Sequence, residues 1–257
     1  MTQVFMAIDG GNTRLKATVF LPEGTSTVTF ASDDAEGVVT LAERLGVTDA
    51  AMAASGHIDV RLAETLRNQL GGAFLLVTPT TPLPIDTDYL DPSTLGLDRK
   101  ATAVAAATLY PGEDILVADA GTALTLDLVG PGADGHPAFR GGNISPGLSM
   151  RLESLHHFTA RLPLLDRGAL DAIPYFGRST REAIAAGAAG GLLDEIAMAA
   201  ARAASRGAVR ILLTGGDAEW IASRLASRLP DVGPAPVHIP DLLAIGLRAI
   251  YDYQANV

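Results

Sequence analysis

The feature that most constrains the fold of this chain is a motif that occurs twice. One apolar run ends in Asp9-Gly10-Gly11-Asn12-Thr13, and a later one ends in Asp119-Ala120-Gly121-Thr122. A run of alternating apolar and polar residues follows each motif, which predicts a strand, a tight turn and a second strand. The two aspartates lie 110 positions apart in a chain of 257 residues, so each half carries one copy. Duplication at this spacing predicts two related domains with a cleft between them.

The repeated hairpin suits the binding of phosphate groups. Its glycine lets a phosphate approach the backbone N–H groups, and its aspartate stands where a magnesium ion can bridge to that phosphate. The alternative for either copy is an ordinary hairpin in which Asp and Asn only satisfy the turn geometry. After Thr13, the apolar residues Leu15, Ala17 and Val19 alternate with polar ones. This pattern predicts a strand where a dinucleotide-binding fingerprint requires a helix, which disfavours a Rossmann domain.

Composition excludes several classes of function. A formal net charge of −10 argues against a nucleic-acid or an anionic membrane partner, because both require a basic face. The absence of cysteine excludes disulfides and thiolate zinc sites and fits a reducing compartment. The longest apolar stretch, 183–193, is too short to span a bilayer, and Asp9 interrupts the first apolar run where a signal peptide would need its core. We therefore expect a cytoplasmic protein.

The order of predicted elements indicates an α/β fold with mixed sheets flanked by helices. We predict an N-terminal domain over residues 1–111 and a C-terminal domain over 112–257. The segment 78–97 has no periodicity, and a loop of that length is usually functional or disordered. A helix is predicted from Arg99 to Leu109, and Pro111-Gly112 ends it at the hinge between the domains.

Two features of the second half predict close approaches. A long helix over 180–206 begins after Ser179, a plausible N-cap, and Glu182 completes a capping box. Small residues in this helix, Gly187, Gly190 and Gly191, allow a core contact or a dimer seam. A strand over 209–213 then runs into Thr214-Gly215-Gly216, where backbone N–H groups converge on an anion or merely form a turn.

Together these motifs resemble the type III pantothenate kinases, within the superfamily of acetate and sugar kinases and actin. The motifs that carry the resemblance span nearly the whole chain: Asp9-Gly10-Gly11-Asn12-Thr13, Gly96-Leu97-Asp98-Arg99, Asp119-Ala120-Gly121-Thr122, Gly141-Gly142-Asn143-Ile144-Ser145-Pro146-Gly147, Ser179-Thr180-Arg181-Glu182 and Thr214-Gly215-Gly216. The resemblance implies two duplicated ribonuclease H-like (actin-like) domains with an interdomain cleft. It also implies ATP-dependent phosphorylation of pantothenate to 4′-phosphopantothenate, the first step of coenzyme A biosynthesis.

The resemblance also implies which residues bind ATP and the metal ions. Magnesium would lie at Asp9, and a monovalent cation, K⁺ or NH₄⁺, at Asp119. Only two of the 19 basic residues are lysines, and one of them, Lys16, follows the first turn; a solvated strand lysine is the equal alternative. The residues implied to bind ATP are Asp9, Gly10, Gly11, Asn12, Thr13, Arg14, Lys16 and Thr122.

The catalytic residue implied by the resemblance is Asp98, as the group that receives the proton of the substrate hydroxyl. From the residues alone, Asp98 is a natural N-cap for the helix that follows, worth about 1 kcal/mol, and both roles are compatible. Arg99 suits a carboxylate because its planar fork binds both oxygens. The residues implied to bind pantothenate are Tyr89, Gly96, Leu97, Asp98, Arg99 and Thr180. Thr180 often reaches the site from a partner subunit in this family, so we expect a homodimer.

Two other functions remain open at this point. One is a non-catalytic regulatory member of the family that acts through a protein partner, and the other is a superfamily kinase with another small substrate. The presence of Lys16, Asp98 and Asp119 favours a catalyst over a regulator. The combination of Tyr89, the Gly-x-Asp-Arg motif and Thr180 favours pantothenate as the substrate. Asn143 departs from the small apolar residue of many relatives.

Overall fold

The computed structural model describes residues 3–11, 14–54, 60–70 and 73–256. The chain divides into two compact units. Unit 1 comprises Met1–Pro111, Gly132–Phe139 and Asp241–Val257, and unit 2 comprises Gly112–Pro131 and Arg140–Pro240. The predicted domains, 1–111 and 112–257, differ from these units in the two segments that return to unit 1 from the second half of the chain.

Unit 1 is built on a five-stranded sheet. The first three strands are antiparallel and the last two continue in parallel, in the order β3-β2-β1-β4-β5. The strands are β1 (Phe5–Gly10), β2 (Arg14–Leu21), β3 (Gly24–Ala31), β4 (Asp49–Ala54) and β5 (Phe74–Leu76). The helices are α1 (Ala35–Leu45), α2 (Val60–Leu70), α3 (Leu97–Leu109) and the chain's last helix, α8 (Leu242–Ala255).

Alternation along β1 assigns its side chains to two different cores. Met6 and Ile8 pack into the core that includes buried residues of α1 and α2. Phe5 and Ala7 point the other way, into the core formed with α3 and α8. Because side chains along a strand alternate between the two faces, Asp9 falls on the face that α3 covers.

Close backbone contacts explain why the two returning segments belong to unit 1. A Cβ atom added to Gly246 of α8 would lie 1.8 Å from the carbonyl oxygen of Ala101 in α3, so the two helices meet backbone to backbone. In the other segment, the two-residue strand β6 (Asp86–Thr87) pairs in parallel with Ala138 and Phe139. These pairings link positions far apart in sequence, which chain order alone does not reveal.

Unit 2 repeats the sheet of unit 1. Its strands are β7 (Ile115–Ala120), β8 (Ala123–Pro131), β9 (Pro137–Pro146), whose first residues belong to unit 1, β10 (Arg210–Thr214) and β11 (Val237–His238). Written from the opposite edge, their order is β9-β8-β7-β10-β11. This order matches β3-β2-β1-β4-β5 of unit 1 strand for strand, with β7 in the place of β1. Strands β1 and β7 also have the same sequence of buried positions, and the aspartate is the one partly exposed residue in each. The predicted duplication and α/β fold class are confirmed.

The helices of unit 2 are α4 (Leu148–His157), α5 (Thr180–Ile184), α6 (Gly191–Ala203) and α7 (Ala218–Leu225). A π-helical turn, Ala185–Gly190, joins α5 to α6, so the predicted single helix over 180–206 is interrupted. The run Thr180–Ala203 is long and apolar enough to cross a membrane, yet 56% of its most apolar window is buried inside the protein. Such burial is typical of a core helix in a soluble protein.

Candidate active site

Asp9, Lys16 and Asp98 meet in unit 1 at the end of β1. Asp9 is directly opposite Lys16 in the antiparallel pairing of β1 with β2, so their side chains share one face. Burial raises the pKa of Asp9 to about 6, the positive charge of Lys16 opposes this, and the negative charge of Asp98 adds to it. Two carboxylates and one ammonium group therefore interact at a half-buried position.

Asp98 lies in the first turn of α3, where the helix dipole favours a carboxylate. Its Oδ1 accepts a hydrogen bond from the backbone N–H of Arg99 at 2.8 Å. The N-cap is Gly96, and no side chain caps the helix, so the prediction that Asp98 itself is the N-cap is wrong. A Cβ at Gly96 would lie 2.5 Å from Asp98 Oδ1, so glycine makes room for this carboxylate.

The first glycine turn brings the backbone close to β4. A Cβ at Gly10 would lie 2.8 Å from the Cβ of Ala54, so only glycine fits without a shift. Gly11 is half-buried and Arg14 is exposed on β2. Two of the predicted ATP-binding residues, Asn12 and Thr13, lie outside the described residues.

Tyr89 and Arg99, two predicted pantothenate contacts, lie together in unit 1. The guanidinium carbon of Arg99 is 5.7 Å from the centroid of the Tyr89 ring and 5.4 Å from that of Phe139. Arg99 is only 6% exposed, so its guanidinium is buried beside these two aromatic rings. The side chain of Leu97 is buried in the core, so a contact of this residue with a substrate would use its backbone. The sequence pattern did not single out Phe139, the second ring beside Arg99.

Lys100, the second lysine of the chain, is also buried at the start of α3. Its Nζ donates a hydrogen bond to the carbonyl oxygen of Pro79 at 3.0 Å, and burial lowers its pKa. This bond fixes the loop before α3 to the helix that carries Asp98. The segment 78–97, for which the sequence left function and disorder open, is thus anchored near its start.

Three glycine turns converge in unit 2 around the second copy of the motif. The N–H of Gly147 donates to the carbonyl oxygen of Thr122 at 3.0 Å, and a Cβ at Gly147 would lie 2.1 Å from the oxygen of Gly121. Gly215 has a φ of +91°, and a Cβ there would lie 2.5 Å from Asp119 Oδ1. The turns that the sequence singled out separately therefore form one cluster, with Thr122 exposed at its surface.

An arginine on α4 forms hydrogen bonds to the residues that precede the Gly147 turn of this cluster. Arg151 donates through Nε to the carbonyl oxygen of Pro146 at 2.7 Å and through Nη2 to the Ser145 hydroxyl at 3.1 Å. The same guanidinium pairs with Glu195 of α6. The pair links two helices to the turn at Gly147, and through it to Thr122.

Thr180 is an exposed residue at the start of α5 in unit 2. The N-cap of α5 is Ser179, whose hydroxyl accepts from the N–H of Glu182 at 3.3 Å, as predicted. The Glu182 carboxylate reaches back to the N–H of Arg178 at 2.6 Å. Thr180 is therefore not needed as a cap, and its hydroxyl stands at an exposed position.

The chemistry of the carboxylates in unit 1 suits a divalent cation. Magnesium is usually held by one or two carboxylates together with the phosphates of a nucleotide. The charge of Asp98 raises the pKa of Asp9, and a bound divalent cation would relieve this repulsion. Among the described residues, no group of three or more His, Cys, Asp or Glu could hold a metal ion.

Comparison with known proteins identifies the family. The sequence profile of the type III pantothenate kinases matches residues 5–202. The type III pantothenate kinase of Porphyromonas gingivalis is 36% identical, over 97% of this chain and 98% of its own length. That of Flavobacterium johnsoniae is 34% identical, over 88% of this chain and 91% of its own length.

Solved structures of sugar kinases share the fold. A ROK hexokinase from Thermus thermophilus has a TM-score of 0.53 at 16% identity and covers 98% of this chain and all of its own. A glucokinase from an Antarctic psychrotroph has a TM-score of 0.55 at 13% identity, with the same coverage of both chains. At these identities the likeness concerns the fold, which is the duplicated ribonuclease H-like one that the sequence predicted.

Proposed function

Since the chain belongs to the type III pantothenate kinase family and phosphorylates pantothenate with ATP in coenzyme A biosynthesis, we propose that Asp98 orients the substrate hydroxyl for this transfer. The observation that carries the proposal is the interaction of Asp98 with Asp9 on the sheet face covered by α3. Phosphoryl transfer passes through a loose transition state, so the base positions the hydroxyl more than it removes a proton early. Its attachment to the first turn of α3 supplies that position.

The first glycine turn would hold the phosphates of ATP. Lys16 stands opposite Asp9, where its charge can meet a phosphate oxygen. Magnesium bound at Asp9 would neutralise charge that develops on the transferred phosphoryl group. The residues assigned to ATP are Asp9, Gly10, Gly11, Asn12, Thr13, Arg14, Lys16 and Thr122.

Asp119 would hold the monovalent cation, K⁺ or NH₄⁺. Its carboxylate lies so close to the backbone at Gly215 that a Cβ there would be 2.5 Å from Oδ1. Carboxylate and backbone oxygens are hard donors that suit such a cation. Asp119→Asn should therefore abolish the stimulation of activity by K⁺, while the Mg²⁺ requirement persists.

Pantothenate would be bound through its carboxylate by Arg99, with Tyr89, Gly96, Leu97 and Thr180 as further contacts. A guanidinium binds a carboxylate with two parallel hydrogen bonds, which also fixes the direction of the substrate. The buried position of Arg99 strengthens such a charge pair relative to one in water.

The protein would act as a homodimer in the cytoplasm. Phe176, which is 91% exposed, lies four residues before the exposed Thr180, and a large exposed aromatic side chain is typical of a contact surface. Phe176→Ser should shift the mass measured by light scattering toward the monomer. The matched control is Leu90→Ser, at a fully exposed position in unit 1. A dimer that survives Phe176→Ser would contradict this surface. The absence of cysteine fits a reducing compartment.

The test of the proposed function is mass spectrometry of the purified protein with ATP, Mg²⁺, K⁺ and pantothenate. We expect 4′-phosphopantothenate, and we expect Asp98→Asn to lower kcat at least about 100-fold while ATP binding is retained. The matched control is Asp33→Asn, an exposed aspartate in the same unit, which should leave kcat unchanged. Near-normal turnover by Asp98→Asn would reduce Asp98 to a structural role.

A further inference from the structure

The placement of Arg99 is unfavourable unless something compensates it. Arg99 occupies the first turn of α3, where a positive charge opposes the helix dipole. It is also 6% exposed, so its charge has lost most of its water. Specific neighbours must therefore offset both the opposed helix dipole and the lost hydration of this side chain.

Two aromatic rings supply such neighbours. The guanidinium carbon lies over the rings of Tyr89 and Phe139, at 5.7 Å and 5.4 Å from their centroids. The two rings meet edge to face, with centroids 5.8 Å apart, so the three groups contact one another pairwise. An aromatic face attracts a cation through its quadrupole, so each ring favours a guanidinium that lies over it.

The backbone fixes both rings relative to each other. Phe139 is opposite Thr87 in the parallel pairing of β6 with β9, and its carbonyl oxygen accepts from the N–H of Asp88 at 2.9 Å. The N–H of Tyr89 donates to the Thr87 hydroxyl at 3.1 Å. Phe139 thus reaches unit 1 as the last residue of the returning segment Gly132–Phe139, and the pairing with β6 keeps it there.

We propose that Phe139 is a positioning residue for pantothenate: with Tyr89, its ring holds the guanidinium of Arg99 in the orientation that binds the substrate carboxylate. The proposal rests on the role given to Arg99 above. It makes the preference for a carboxylate depend on a residue that itself offers no hydrogen bond. Phe139 therefore governs discrimination between pantothenate and pantothenol, in which a hydroxymethyl group replaces the carboxylate.

The experiment compares kcat and KM for pantothenate and pantothenol in matched variants. A cation–π contact with a desolvated guanidinium is worth about 1–2 kcal/mol, which corresponds to about 5- to 30-fold. Phe139→Leu should raise KM for pantothenate by about that factor and leave KM for pantothenol and both kcat values nearly unchanged. The control is Phe5→Leu, because Phe5 is equally buried, at 1% exposure, and lies 5.8 Å from the guanidinium of Arg248. It should lose similar thermal stability without changing the preference.

A second pair of variants tests the aromatic clamp, the rings of Tyr89 and Phe139 around Arg99, without removing a fully buried side chain. Tyr89→Leu removes the other, half-buried ring, whereas Tyr89→Phe keeps it. We expect Tyr89→Leu to lower the preference for pantothenate and Tyr89→Phe to retain it. This pair decides the matter if Phe139→Leu does not fold.

Arg99→Gln separates failure of this inference from failure of the carboxylate-binding role proposed above for Arg99. If Arg99→Gln keeps the preference for pantothenate, Arg99 does not bind the carboxylate and both fail. If Arg99→Gln abolishes the preference while Phe139→Leu and Tyr89→Leu keep it, the role of Arg99 stands and the clamp is refuted. An equal rise in KM for both substrates in Phe139→Leu would also refute it, because a general structural defect has that effect.

Discussion

The packing of α8 on α3 leads to a quantitative prediction for Gly246→Ala. The added Cβ would lie 1.8 Å from the carbonyl oxygen of Ala101, whereas a carbon–oxygen contact needs about 3.3 Å. The helices would have to separate by about 1.5 Å, because the obstacle is backbone and no side chain can rotate away. Overpacking of this kind costs about 1–3 kcal/mol.

The net effect is smaller than the steric cost, because alanine favours a helix over glycine by about 1 kcal/mol. Taking the upper end of the steric range, we expect a loss of about 2 kcal/mol in the free energy of unfolding. For a protein of this size that corresponds to a decrease in Tm of about 4–8 °C. The first turn of α3 carries Asp98, so kcat should fall as well.

The assay is scanning calorimetry combined with hydrogen exchange. Backbone amides of Ala103–Ala106 in α3 should lose protection, while those of α6 in unit 2 keep theirs. The control is Gly191→Ala, because a Cβ at this position would meet no atom within 4 Å. It should gain up to about 1 kcal/mol from helix propensity. A Gly246→Ala variant as stable as the parent, or an equal loss in both variants, would refute the reasoning.

Three further predictions concern single contacts. Burial raises the pKa of Tyr251 to about 12, so the folded state keeps a proton that the unfolded chain loses near pH 10. The free energy of unfolding should therefore fall as the pH rises from about 10 to about 12. In urea titrations, Tyr251→Phe should lack this fall in stability. Ser179→Ala should cost α5 about 1 kcal/mol, whereas Thr180→Ala should keep Tm and raise KM for pantothenate; equal losses of Tm would contradict this. Glu195→Gln removes the charged partner of Arg151 and should lower the free energy of unfolding by about 1–3 kcal/mol. It should also weaken ATP binding in calorimetric titration, because Arg151 supports the turn that contacts Thr122. An unchanged affinity for ATP would contradict this role of Arg151.

The parts of the fold that the sequence predicted well depend on local pattern. Alternation before and after Asp9 and Asp119 predicted both hairpins, and the small residues at 10 and 121 predicted their turns. The Ser179 cap was equally readable, because a side-chain hydroxyl and an acid three residues later form a local motif. In each of these cases the determining contacts lie within a few residues along the chain.

What the sequence did not reveal depends on contacts between distant positions. Phe139 joins unit 1 through a pairing with β6, a strand of only two residues inside a segment predicted to be irregular. The helix α8 follows β11 in sequence, yet it packs on α3 through Gly246. The N-cap prediction for Asp98 was wrong because the helix begins earlier, with Leu97 buried at its first position. Each of these outcomes depends on burial against residues that are distant in the sequence, so a local pattern cannot predict it.

In the proposed function, the duplicated motif serves two kinds of chemistry. Strands β1 and β7 bury the same positions and leave the aspartate partly exposed in both, so the difference arises from what faces each carboxylate. Asp9 faces a second carboxylate and a lysine, a setting that suits a divalent cation and a transferred phosphoryl group. Asp119 lies against the backbone of the Gly215 turn, the setting proposed above for a monovalent cation. The copies therefore diverge in their neighbours rather than in the motif, and replacing either aspartate by asparagine should remove a different ion requirement.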